Sequence, residues 1–68
     1  MMNGITVRKD GKYIARSGAK SAERDAKGIC WSRETQAARM FKNRASAEST
    51  ARRIGGKVCE IVGGRAAE

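Results

Sequence analysis

Two segments of alternating character lie near the start of the chain, after which the period changes. In Ile5-Thr6-Val7-Arg8-Lys9-Asp10-Gly11-Lys12-Tyr13-Ile14-Ala15-Arg16 the repeat is two residues, the spacing of strands with one buried face. Asp10-Gly11 interrupts it at the middle and accepts the positive φ angles of a type I′ turn, whose twist matches that of paired strands. A two-residue turn fixes register, so Lys9 faces Lys12, Arg8 faces Tyr13 and Val7 faces Ile14. Ile5, Val7 and Ile14 then share one face, and Thr6, Arg8, Tyr13 and Ala15 the other.

The alternation lapses over residues 17–28, which hold Ser, Gly, Ala and charges but no large apolar side chain. Without an apolar anchor, this stretch reads as a mobile, solvated loop, with a short polar helix over residues 19–26 as the alternative. Apolar character returns in Gly28-Ile29-Cys30-Trp31, a short third strand. The period then becomes helical. Ser32 is placed to cap a short helix through Met40, with Ala37, Met40 and Phe41 on its buried stripe, and Asn43 to cap a second from Arg44 to Ile54. Ala47, Ala51 and Ile54 form the packing face of that second helix, and Gly55 ends it. Lys57-Val58-Cys59-Glu60-Ile61-Val62 is a final strand, apolar on both faces, which places it centrally or beneath another chain. Residues 63–68 read as a flexible tail.

These elements predict a small α+β domain spanning residues 1–68. Its antiparallel sheet, the N-terminal hairpin plus the C-terminal strand, packs in two layers against one or two short helices. Composition makes the core thin: 11 of the apolar residues are Ala, none is Leu, and Trp31 and Phe41 carry most of the bulk. A chain of 68 residues has little stability to spare, so a homodimer or stabilisation by a partner is expected. Cys30 and Cys59 stand alone, without the paired spacing of zinc or redox sites; they are read as packed thiols, with a disulfide between them as the other possibility. There is no His, so neither a metal nor another cofactor is expected. No apolar run resembles a secretory signal or a membrane span, which leads to the expectation of a cytoplasmic protein with no membrane partner.

Charge decides the functional class. The chain holds 15 Lys and Arg against 7 Asp and Glu, a net +8. Catalysis by acid, base or nucleophile needs positioned groups, usually His or paired carboxylates. The carboxylates here are scattered beside cations, and the Gly pairs are not followed by the Lys-Ser/Thr of a phosphate loop. A non-enzymatic binding protein follows. Arg8, Lys9, Lys12 and Arg16 cluster on the hairpin, and Arg33, Arg39, Lys42, Arg44, Arg52, Arg53 and Lys57 decorate the helical half. The hairpin four, Arg44, Arg52, Arg53, Lys57 and Tyr13 are the candidate contact residues. Both groups suit phosphates of DNA or RNA, or an acidic protein surface. Trp31 is expected in the core, whereas Tyr13 is equally placed to pack or to stack on a base.

The pattern from Trp31 to Val62, a Trp, then Ala-Arg-Met-Phe, a capped Ala-rich helix ending in Ile-Gly-Gly, and Lys-Val-Cys-Glu-Ile-Val, resembles small accessory proteins encoded by bacteriophages and prophages. The resemblance implies a bacterial host cell and a product that binds host proteins or nucleic acid, for example an anti-CRISPR inhibitor of host defence acting on an acidic protein or a nucleoprotein complex. The basic hairpin Arg8-Lys9-Asp10-Gly11-Lys12-Tyr13 is also similar to that of phage integrase arm-binding and plant AP2-type domains, which implies DNA reading by a three-stranded sheet.

Overall fold

The computed structural model describes residues 3–67. Met1 and Met2, at the start of the segment read as carrying no signal sequence, and Glu68, at the end of the expected tail, lie outside the described residues. Strand β1 (Gly4–Lys9) turns through Asp10 and Gly11, at φ 53° and 77°, into β2 (Lys12–Ile14). Both central residues of this turn have the positive φ that the type I′ geometry requires. The expected rungs Arg8–Tyr13 and Lys9–Lys12 form. The third, Val7–Ile14, does not, because the Ile14 carbonyl instead accepts from the Arg39 N–H at 2.8 Å.

That exchange explains why residues 33–40 are not the expected helix. After one 3-10 turn at Thr35–Ala37 the chain extends, and its backbone groups pair with the sheet where β1 and β2 part. The Arg16 N–H donates to the Ala37 carbonyl at 3.0 Å, the Phe41 N–H to the Ile5 carbonyl at 2.8 Å, and the Thr6 hydroxyl to the Arg39 carbonyl at 2.8 Å. A helix would have used these groups internally; here they seal a splayed hairpin.

Six strands form one antiparallel sheet, in the order β3 (Glu23–Arg24), β4 (Cys30–Ser32), β2, β1, β5 (Lys57–Val62) and β6 (Arg65–Ala67). The longest ladder joins β1 to β5, from Gly4–Ile61 to Arg8–Lys57. The last strand of the sequence reading is thus internal, as its two apolar faces implied. Two strands depart from expectation. Residues 17–28 contain β3 (Glu23–Arg24), which pairs with β4 (Cys30–Ser32). The expected tail turns at Gly63-Gly64 and returns as β6 (Arg65–Ala67), because both glycines adopt positive φ and close a tight hairpin onto β5.

Helix α1 (Arg44–Ile54) crosses one face, over β1 and β5. Asn43 caps it as predicted, its side-chain oxygen accepting from the Ser46 N–H at 2.8 Å, and Gly55 ends it at φ 76°. Gly56 is required for a different reason: a Cβ there would lie 2.9 Å from Val7 Cγ1 and 3.0 Å from the Arg8 carbonyl, so the chain passes too close to β1 for any side chain. Ala47 and Ala51 of the helix pack on Val7, Ile14 and Trp31 of the sheet, flanked by Ile5, Ile29, Phe41, Ile54 and Val58. The opposite face has its own cluster, Tyr13, Ala38, Cys59 and Ile61, with Met40 and Ala66 against it. Val7 and Ile61 are fully buried, whereas Phe41 is only half-buried.

A candidate anion-binding cleft

Each hairpin cation expected to face a partner also has a contact within the chain, Lys9 half-buried and Arg16 at the exposed surface. Lys9 Nζ donates to the Ile54 carbonyl at 3.1 Å, closing the C-terminal end of α1 where a cation also meets the favourable end of the helix dipole. Arg16 Nη2 donates to the Gln36 carbonyl at 2.9 Å, and Lys12 Nζ lies 3.9 Å from Glu23 Oε2 in an exposed pair of small energetic value. The Arg8 guanidinium stands 5.7 Å from the Tyr13 ring centroid. Tyr13 and Trp31 are each only 8% exposed, so neither ring is a free stacking platform. Arg44, Arg52 and Arg53 are exposed on α1, and Lys57 at the head of β5.

Of the predicted contact residues, the structure brings Arg16 and Arg53 together at a cleft of about 680 Å³ between α1 and the β2–β4 side of the sheet. Three cations outside the set of candidate contact residues join them: Arg24 on β3, Lys27 in the turn to β4, and the helical-half cation Arg39 on the sealing segment. The floor is aliphatic, from Ile14, Ala15, Ile29 and Ile54, and no Asp or Glu lines it. Arg8, Lys9 and Lys57 meet at a separate, smaller cleft at the hairpin tip, where Asp10 offsets part of their charge. Arg44 and Arg52 line neither cleft.

Asp25 holds the cleft's outer lip in shape. Its Oδ1 accepts from the N–H groups of Lys27 and Ile29, both at 2.9 Å, and its Oδ2 from Trp31 Nε1 at 2.8 Å. The Trp31 indole donor, then the Ile29 amide, hold its carboxyl below the usual carboxylate range; partial desolvation opposes them, and the Lys27 amide and charge add to the lowering. Gly28, at φ 85°, completes the turn. This is the anchor the sequence reading missed, since it sought an apolar one. The visible signal was Asp25-Ala26-Lys27-Gly28, an Asp at the first and a Gly at the last position of a turn.

Cys30 and Cys59 are both free thiols. Cys59 is buried, and burial pushes its thiol pKa up, with the Arg8 charge pulling in the other direction. Among the described residues, no three His, Cys, Asp or Glu side chains gather as metal ligands would, and no helix is long and apolar enough to cross a membrane. Comparison of the chain with protein-family models, with curated proteins and with solved structures finds no match.

Proposed function

We propose that this is a small non-enzymatic binding protein that docks an acidic segment of another protein in the cleft between α1 and the β3–β4 hairpin. The observation that carries the reading is the lining: Arg16, Arg24, Lys27, Arg39 and Arg53 surround an aliphatic floor with no carboxylate among them. One exposed ion pair is worth little, but several like charges around a concave, low-dielectric surface focus the field and speed the approach of an oppositely charged partner. Phosphate binding alone has no use for an aliphatic floor, and no aromatic ring lines the cleft to stack on a base. An acidic polypeptide uses both the cations and the floor. In the setting that the phage resemblance implies, the partner is a bacterial host protein or a nucleoprotein complex, and binding inhibits it.

Affinity capture from a nuclease-treated bacterial lysate tests this. The comparison is between the protein, the cleft variant Arg24→Glu/Lys27→Glu/Arg53→Glu, and the control Arg44→Glu/Arg52→Glu/Lys57→Glu. Both variants lower the net charge from +8 to +2, since three cations become anions. The reading expects a protein recovered in stoichiometric amount by the parent and the control and lost with the cleft variant. Equal recovery by both variants, or retention of DNA or RNA with no protein partner, overturns it.

A further inference from the structure

The cleft carries information about the side chain its occupant presents, beyond its charge. Resting on the reading above, we propose that the occupant is a short acidic segment with one aliphatic residue at its centre, seated on Ile29 and Ile54 and flanked by carboxylates that meet the surrounding cations. The cations arrive from separate elements: Arg16 follows β2, Arg24 and Lys27 belong to the β3–β4 hairpin, Arg39 to the sealing segment and Arg53 to α1. Cations from several elements thus share one lining, although Arg16 also donates to the Gln36 carbonyl and the Arg39 guanidinium also stands over the Phe41 ring. A segment with carboxylates on both sides of a central residue offers partners to more than one of them.

The floor itself asks for an apolar side chain. Ile14 is already buried by the fold, but Ile29 and Ile54 are only half-buried and keep apolar surface turned to the cleft. Covering that surface is favourable in proportion to its area, and charge alone does not do it. The volume, about 680 Å³, suits one large side chain with a short run of backbone, and falls within the range of pockets that enclose compact ligands. None of the three aromatic rings lines the cleft: Trp31 is tied to Asp25, Tyr13 lies in the cluster on the other face of the sheet, and half-buried Phe41 is covered by the Arg39 guanidinium. The lip bearing Arg24 and Lys27 is set by the three hydrogen bonds to Asp25, so little ordering cost falls on binding.

Fluorescence anisotropy with defined probes tests the assignment. The probes are a labelled peptide of glutamates with a central Leu, the same peptide with a central Ala, the Leu peptide with every Glu replaced by Gln, and a single-stranded DNA of equal charge, all near about 150 mM salt. The proposal expects the Leu peptide to bind about tenfold tighter than the Ala peptide, as partial burial of three further carbons implies. It expects the Gln peptide and the DNA to bind more weakly than either, and Ile29→Ala to erase the Leu preference while retaining charge-dependent binding. Should Ile29→Ala fail to fold, the Leu-to-Ala ratio on the parent protein decides. Equal binding of Leu and Ala peptides, or tighter binding of DNA, overturns the aliphatic assignment. Recovery of a cleft-dependent protein partner from lysate leaves the proposed function standing in that case, and its loss there removes both.

Discussion

Replacing Ile61 by Ala tests whether the second face of the sheet is a core in its own right. Ile61 is 0% exposed, held in register between Gly4 on β1 and Ala66 on β6, and packs with Tyr13, Ala38 and Cys59. The substitution removes three carbons, about 2.4 kcal/mol at roughly 0.8 kcal/mol each. A cavity between two fixed ladders closes only in part, although flexible Met40 beside Gly4 can lean into it, and the total comes to about 3–4 kcal/mol. Phe41, which the sequence makes a main source of core bulk, is half-buried with the Arg39 guanidinium 5.3 Å from its ring centroid. Its truncation is expected to cost about half the value for a fully buried ring, roughly 2 kcal/mol. Urea denaturation followed by the single Trp gives both values, and each 1 kcal/mol appears as roughly 4–8 °C in Tm. A domain of this size holds only about 3–10 kcal/mol in total, so Ile61→Val, at about 1 kcal/mol, supplies a milder point on the same scale. If Phe41→Ala costs more than Ile61→Ala, the two-faced core is wrong.

Gly56→Ala is expected to destabilise by roughly 1–3 kcal/mol, because the new methyl group meets Val7 and the β1 backbone; a Tm unchanged within error contradicts that close approach. Asp25 has a lowered folded pKa, so its contribution is present above the ordinary Asp range and is lost as pH falls through the folded value. Acid titration of Tm should therefore show the parent losing stability relative to Asp25→Asn as pH drops below about 4, and parallel curves refute the anchor. Alkylation by a maleimide should modify half-buried Cys30 well before buried Cys59, whose thiol pKa is raised; equal rates, read by mass spectrometry, contradict the buried placement of Cys59.

What could be read in advance was what short-range chemistry determines. Asp10-Gly11 specifies its turn, Asn43 and Gly55 bound their helix, and Ala47 and Ala51 mark its packing face, each through neighbours a few residues away. The α+β class followed from those local facts. The failures share a cause: backbone or polar groups whose partners are distant in sequence. Residues 33–41 have helical spacing, yet backbone groups of Ala37, Arg39 and Phe41 go to Arg16, Ile14 and Ile5, and Thr6 reaches Arg39 across 33 positions. Residues 17–28 lack an apolar anchor but gain a carboxylate that grips the Trp31 indole. The candidate site was legible only in fragments. Arg16 and Arg53 could be named as exposed cations, but that Arg24, Lys27 and Arg39 join them over an aliphatic floor depends on how β3 and the sealing segment fold back. Lys9 shows the opposite error, a hairpin cation that closes a helix end instead of facing a partner.

The central claim is that the cleft, and not net charge, makes the binding surface. Its most direct test is the affinity of the Leu-centred glutamate peptide for the parent protein and for the two charge-matched variants, the cleft reversal at Arg24, Lys27 and Arg53 and the outer reversal at Arg44, Arg52 and Lys57. The cleft reversal should weaken binding roughly a hundredfold, from lost pairs and added repulsion at close range, and the outer one only a few-fold. Equal losses in the two variants would mean that the peptide senses only the total charge, and would contradict the claim.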